Sequence, residues 1–389
     1  MKKNIKITPE GAKDYLYKEC AACKQIISKI EKVFKMHEFK QVMTPGIEFY
    51  DLFTIESCAV EQELMFKTTD NKGRLLAVRP DSTLPIARLV ATRLKNRILP
   101  VRLYYNQSVY LNNRTLAGKS NEIMQMGVEL LGATGKRADL EVLTTALQSI
   151  ESVTDNYRIE LGHSGVFNAL SKQLSVSEEE KENIRVSIES KNYSALNNIL
   201  DKLEETPVVK AIRKLPALFG GAEIFDKAAE ILKGTDAIDA LDYLKDLYTE
   251  LSCLDLGNKL TIDLGLVQRN DYYDGVVFCG YVEGCGEVVI SGGRYDSLLE
   301  KFDAPMGASG FAINVSALAK VNLDDEKVEY DEKPEILVFA NDGNEMKAIK
   351  YTEQLLNEGK KAQFCVLDSL SVAEEYAKQR GIEKIEIIW

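Results

Sequence analysis

Three polar stretches of this chain carry residues that could do chemistry together. Arg79, Asp81 and Thr83 lie in RPDST; Gln125 and Glu129 lie in MQMGVELLG; Tyr272, Tyr273, Arg294 and Tyr295 lie in NDYYDGVVF and GGRYD. Strand side chains return to one face every second residue, so Gln125 and Glu129 stand two pleats apart on the same face. Carboxylates and tyrosines on a sheet floor suit a small zwitterion with a polar ring. Taken singly, each stretch could equally be a solvent-facing pair on a sheet surface. Their joint presence favours one pocket.

Other chemistries find little support. Only His37 and His163 exist, which excludes a multi-histidine metal centre and leaves two candidates at most for a histidine base. His37, in KVFKMHEFK, reads as a surface or capping residue near a helix end. His163, in IELGHSG, is either a structural turn residue or a residue facing a site. Cys20 and Cys23 form a CxxC, yet they fall with Leu16, Ile27, Ile30 and Phe34 on the apolar face of one amphipathic helix, so both are read as core. The seven cysteines are scattered and read as reduced thiols. No phosphate-binding glycine loop, dinucleotide fingerprint or serine or cysteine nucleophile motif is found, and neither a metal nor a cofactor is expected.

A chain of 389 residues, 45% hydrophobic and 28% charged, can build two or three domains with real cores. No apolar run approaches the ~18 residues of a membrane span, so a cytoplasmic protein without membrane contact is expected. The formal charge of -11 argues against a general nucleic-acid surface.

The elements that must position the polar stretches follow from the hydrophobic periods. An opening helix is expected over roughly 10 to 37, then strands in EQELMFKTTD and GRLLAVRPDST joined by the DNKG turn, and a helix in TLPIARLVATRL. PVRLYYNQSVYL and NEIMQMGVELLG read as strands, RADLEVLTTALQSIESV as a helix and YRIELGHSG as a strand. Residues 165–254 change to helical character, broken at Pro207, Pro216 and Gly220-Gly221. Strand periodicity returns in KLTIDLGLV, DGVVFCGYVEG and GEVVISGGRYD. After the acidic link NLDDEKVEYDEKPE, three short apolar strands alternate with two helices, the order of a small parallel sheet.

In order and spacing, RPDST, YYNQSVYLNNR, MQMGVELLG, NDYYDGVVF, SGGRYDSLL and GASGFAINV resemble the catalytic domain of class II histidyl-tRNA synthetases. The resemblance covers about residues 8 to 320. It implies an α+β fold, a six-stranded, largely antiparallel sheet flanked by helices. Residues 1–164 and 255–322 would form that core, 165–254 a helical insertion, and 333–389 a shortened version of the family's anticodon-binding α/β domain. By the same resemblance Asp81 and Gln125 bind a substrate α-amino group, Glu129, Tyr273 and Tyr295 recognise an imidazole, and Thr83 belongs to that histidine-binding set. Asp81 is one methylene shorter than the family's usual glutamate.

The departures fall on the nucleotide side. Leu111 and Asn113 stand at the family's motif 2 Arg-x-Glu, and Asn314, Ser316 and Ala317 stand in its motif 3. Gln268 replaces the arginine of a histidine-specific motif, with Arg269 adjacent. Holding phosphoryl charge needs fixed cations, and losing one preorganised donor costs about 3 kcal/mol. Residues 333–389 also hold eight basic and ten acidic side chains, a poor surface for an anticodon stem. This combination, with DLGLVQRNDYYDGVVF and IELGHSGVFNAL, resembles the regulatory subunits of ATP phosphoribosyltransferase. That family implies no catalytic residues, a short-form catalytic subunit as partner in a hetero-octamer containing a homodimer of this chain, L-histidine as effector, and no tRNA. An active synthetase and a stand-alone histidine sensor are the rival readings.

Overall fold

The computed structural model describes residues 6–55, 60–113, 120–254, 259–267, 272–324, 328, 330 and 333–389. Gln268, Arg269 and Cys58 therefore lie outside the described residues. Two compact units divide the chain, 1–327 and 328–389.

The larger unit opens with helix α1 (Tyr17–Met36), which begins later than its apolar spacing suggests because Tyr17 enters it from a left-handed backbone, φ 39°. The short strands β1 (Lys40–Gln41), β2 (Ile47–Phe49), β3 (Lys67–Thr69) and β4 (Leu75–Val78) follow, with β3 and β4 paired antiparallel across the DNKG turn. Gly73 takes the positive φ of that turn, and Asp70 accepts the amides of Lys72 and Arg74. Strands β2, β4 and β3 form a separate small sheet, and Ile47 and Phe49 face outward from it.

Next come α2 (Thr83–Arg93), β5 (Val101–Tyr110), β6 (Glu122–Leu131), α3 (Lys136–Glu151) and β7 (Tyr157–His163). Residues 164–252 then hold α4 (Ser164–Lys172), α5 (Glu178–Glu189), α6 (Tyr193–Leu200), α7 (Pro207–Lys214), the two-residue strand β8 (Phe219–Gly220), α8 (Glu223–Ile231) and α9 (Ile238–Ser252). Ser177, Asn192 and Thr206 cap α5, α6 and α7 by accepting amides of their first turns. The unit closes with β9 (Leu260–Asp263), β10 (Val276–Val282), β11 (Ile290–Arg294), β12 (Ala308–Asn314) and α10 (Val315–Asp324).

The large sheet runs β1-β5-β6-β12-β11-β10-β7-β9-β8. Its middle six strands, β5 through β7 in that order, pair antiparallel throughout, as the resemblance implies. Three further strands extend it: β1 pairs parallel with β5, β9 parallel with β7, and β8 antiparallel with β9. Two-residue strands have no period to read, and β8 comes from within the otherwise helical stretch. One sheet face, carrying Val128, Phe278 and Phe311, is covered by α1 and α3, with Phe34 of α1 edge-on to Phe311. On that face Arg294 donates from Nε and Nη2 to Oδ1 of Asp139 in α3, at 3.0 and 2.6 Å. The opposite face is covered by the small sheet, α2 and the 3-10 turns Asp296–Phe302, around a core of Phe53, Leu84, Tyr105, Leu131 and Tyr295.

The second unit has β13 (Ile336–Ala340), α11 (Glu345–Asn357), β14 (Ala362–Phe364), α12 (Leu370–Arg380) and β15 (Lys384–Ile388). Its all-parallel sheet, order β14-β13-β15, buries both faces of β13: Ile336 and Val338 pack with α11, Leu337 and Phe339 with α12. That explains the uninterrupted apolar run ILVF.

The Asp139–Arg294 pair is a test of how the larger unit is held. Both side chains are buried, 1% and 8% exposed, and removing one partner strands the other charge. Asp139→Ala should lower the unfolding free energy by about 3 kcal/mol in urea titrations followed by circular dichroism.

Candidate functional site

The candidate residues are placed by three separate pieces of backbone. In RPDST, Arg79 turns away from the pocket expected for it: its guanidinium donates to the carbonyls of Thr44, Pro45 and Ser108 at 2.6 to 3.1 Å. It is a lock between strand ends. Asp81 accepts the Leu84 amide at 2.8 Å and so ties itself to the first turn of α2. Thr83, the first residue of α2, then points its hydroxyl at the sheet and donates to Glu129 Oε1 at 2.8 Å.

Glu129 projects from β6 into the covered face, 2% exposed. Its second oxygen, Oε2, accepts from the Tyr295 hydroxyl. Cross-strand register explains why a carboxyl group fits there. Glu129 lies beside Gly310 of β12, and Gly310 beside Gly293 of β11. A Cβ on Gly310 would collide with Glu129 Oε2, and one on Gly293 would lie 2.8 Å from the Tyr273 ring. The glycines form a floor, and the acid and the tyrosines stand on it. Tyr272, Tyr273 and Tyr295 stack mutually with ring centroids 4.8 to 6.4 Å apart. Arg294, expected with this group, sits on the opposite face with Asp139, since adjacent strand residues point oppositely.

Gln125 accepts from the Tyr105 hydroxyl at 3.1 Å, and the Tyr105 ring lies over Gly127, where a Cβ would come within 2.5 Å of that hydroxyl. Tyr105 was not among the sequence candidates. The pairing of β5 with β6 places it: Leu103, Tyr105 and Gln107 alternate on β5 directly opposite Glu129, Gly127 and Gln125.

Burial dominates the electrostatics. It pushes the Glu129 carboxyl up to about 8, against the opposing pull of the Tyr295 and Thr83 hydrogen bonds. Burial likewise raises Asp81, with its backbone hydrogen bonds pulling the other way. The tyrosine hydroxyl of Tyr295, also raised by burial, remains a donor.

Beside this pocket opens a cleft of about 760 Å³. Leu111, Asn113, Asn314, Ser316 and Ala317 all line it, together with Lys13 and Lys320. Ser316 Oγ accepts from the Met124 amide and the Tyr15 hydroxyl, and Asn314 Oδ1 accepts the Ala317 amide at 3.0 Å. These side chains serve the fold of the cleft wall.

The histidines are structural. His163 caps α4 by accepting the Gly165 amide at Nδ1, 3.0 Å, edge-on to Tyr243, and burial pulls it down to about 4. His37 caps the end of α1 and its ring bridges Glu141 and Gln148 of α3. Cys23 is buried and Cys20 half-buried on α1. Among the described residues no group of three histidine, cysteine or acidic side chains is arranged to hold a metal, and no helix is long and apolar enough to cross a membrane.

The folded protein holds the Glu129 proton more tightly than the unfolded chain, whose carboxyl titrates near 4.5. The stability tied to that proton is complete below about pH 4.5 and is lost as pH rises towards 8, at up to roughly 1.4 kcal/mol per pH unit. Unfolding free energies of wild type minus Glu129→Gln, measured from pH 5 to 8, should fall with pH; a flat difference would contradict the burial of this carboxyl.

Comparison with known proteins identifies the family and the fold. The family model for histidyl-tRNA synthetase matches residues 11–318. The chain is 38% identical to the ATP phosphoribosyltransferase regulatory subunit of Clostridium kluyveri, covering 98% of this chain and 99% of that one. It is 34% identical to that of Bacillus thuringiensis subsp. konkukian, over 98% and 91%. Among solved structures, an ATP phosphoribosyltransferase regulatory subunit/histidyl-tRNA synthetase from Bacillus halodurans superposes with a TM-score of 0.85 at 26% identity, covering 98% of each chain. Histidyl-tRNA synthetase of S. aureus shares the fold, TM-score 0.68 at 22% identity, over 98% of this chain and 91% of that one. The chain belongs to the family of ATP phosphoribosyltransferase regulatory subunits, proteins with the fold of class II histidyl-tRNA synthetases.

Proposed function

We propose that this chain does no chemistry of its own, and that it binds and activates a short-form ATP phosphoribosyltransferase catalytic subunit in the first step of histidine biosynthesis. L-Histidine is its feedback effector, the cytoplasm its compartment, and tRNA is not a partner. The observation that carries the reading is the contrast between two neighbouring sites. Thr83, Glu129, Tyr273 and Tyr295 converge on one buried spot, with Gln125 and Asp81 at its border. The adjoining cleft presents Leu111, Asn113 and Ala317 where the synthetase resemblance calls for the residues that grip ATP.

In this reading Glu129 accepts from an imidazole nitrogen, the tyrosines fix the ring, and Asp81 and Gln125 hold the ammonium. Asp81 accepts backbone amides at the start of α2, from Leu84, Thr83 and Ser82, which fixes its carboxyl for that contact. The outward apolar face of β2, with Ile47 and Phe49, suits self-association into the homodimer around which a hetero-octamer is built.

Two expectations follow. Mixed with a short-form catalytic subunit from the same source, the chain should co-elute as a complex larger than its own dimer by light scattering, and should raise the partner's rate severalfold or more. Pyrophosphate exchange dependent on ATP and histidine should be absent; exchange within about tenfold of a synthetase would instead make it an active histidyl-tRNA synthetase. Second, Glu129→Ala should weaken histidine binding to the isolated chain by about tenfold to a hundredfold, as expected when a buried imidazole N–H loses its acceptor. Feedback inhibition of the complex should weaken in parallel while activation persists. Unchanged calorimetry and unchanged inhibition curves would assign the pocket a purely structural role.

A further inference from the structure

An amide side chain presents an oxygen at one end and two N–H bonds at the other, and only its neighbours decide which end faces which way. For Gln125 that decision starts at a backbone amide outside the pocket. The Thr44 N–H donates to Gln107 Oε1 at 3.2 Å, and a backbone N–H can only donate. Gln107 therefore turns its Nε2 the other way and donates to the Ser82 hydroxyl at 3.1 Å. Having accepted that bond, Ser82 gives its own proton to the Tyr105 oxygen. Only one proton fits between two hydroxyls, so the Tyr105 O–H points onward and donates to Gln125 Oε1 at 3.1 Å. Ser82 and Tyr105 are 0% and 1% exposed, which shields this order of donors from bulk water.

The end of the chain is thereby fixed. Gln125 turns its oxygen to Tyr105 and its two N–H bonds away from it, and among the described residues nothing accepts from them. Unlike the buried hydroxyls that orient it, Gln125 is only half-buried. It stands four residues from Glu129 on β6, roughly 13 Å along the strand, at the other end of the row that passes over Gly127.

We propose that Gln125 is the carboxylate-binding group of this site: it donates its amide N–H bonds to the α-carboxylate of histidine, and Tyr105 is the positioning residue that keeps them turned that way. The inference rests on the histidine reading above and adds the group that recognises the acid end of the ligand. Glu129 takes the ring at one end of the row, and Gln125 takes the amino-acid head at the other. The Gln125 oxygen has a second lone pair, so it still accepts from the ammonium while the nitrogen beside it donates to the carboxylate. Ammonium and carboxylate sit on one carbon of the ligand, as oxygen and nitrogen sit on one carbon of the amide. The same amide turned by 180° would meet the carboxylate with its oxygen and repel it. Orientation thus decides whether the site reads an amino acid or only an amine.

Calorimetry on the full chain at pH 7, with L-histidine and with histamine, tests the assignment, because histamine keeps the ring and the amine but lacks the carboxylate. Wild type should bind histidine about tenfold to a hundredfold more tightly than histamine, the range for a hydrogen bond to a charged group. Gln125→Glu keeps an oxygen for the ammonium and replaces the N–H donors by an acceptor. The preference should then vanish, with histidine weakened and histamine not. Tyr105→Phe frees the amide to turn, and should lower the preference severalfold while histamine affinity holds. An intact preference in both variants, with the two ligands weakened in equal proportion, would overturn the proposal, since a structural role or an ammonium contact alone makes no use of the carboxylate. Should Gln125→Glu fail to fold, the wild-type comparison and Tyr105→Phe, which removes a single hydroxyl, decide. Equal binding of the two ligands by wild type would overturn the proposal and leave the histidine reading standing, whereas binding of neither would remove the histidine reading itself.

Discussion

A carboxyl group held out of water over a row of glycines is the constraint on which the sheet face beneath α2 and the small sheet depends. Burying Glu129 would be costly if its two oxygens were unsatisfied, so Thr83 and Tyr295 must both reach it. Thr83 can do so only because Asp81 fixes the start of α2, and that start is positioned because Arg79 fastens the preceding strand to the carbonyls of Thr44, Pro45 and Ser108. Tyr295 can do so only because Arg294, one residue before it, is anchored to α3 on the reverse face. The two arginines thus act through the backbone, holding in place the residues next to them that face the pocket.

Much of this was legible in the sequence. Period two put Gln125 and Glu129 on one face, and the motif set carried Asp81, Thr83, Tyr273 and Tyr295 to the same neighbourhood. The same rule, applied across GGRY, also separates Arg294 from Tyr295; charge drew attention to the arginine, while strand alternation decides its side. Tyr105 was missed because its partner strand, and hence its position opposite Gly127, is a property of pairing rather than of local sequence. Strands β1 and β8 were beyond reach for a simpler reason. Two residues contain no period, and their existence depends on an edge supplied by distant strands.

The two histidines illustrate the same division between local and tertiary information. The spacing of IELGHSG leaves His163 either a turn residue or a site residue; the structure gives it the amide of Gly165 and the edge of Tyr243. Desolvation and the positive field of Arg294 then keep the ring neutral. No sequence pattern reports on the field of a residue more than a hundred positions away.

The glycine floor has a consequence for how this site can be lost or reshaped over time. The space that Tyr105, Tyr273 and Glu129 occupy is created by missing atoms, at Gly127, Gly293 and Gly310, and none of these glycines needs an unusual backbone angle. A single methyl group at Gly310 would occupy the space of the Glu129 carboxylate without altering any polar residue. The site can therefore be silenced by substitutions that sequence comparison scores as conservative, and a lineage can keep every polar residue of the site while no longer having room for the Glu129 carboxylate in its present place.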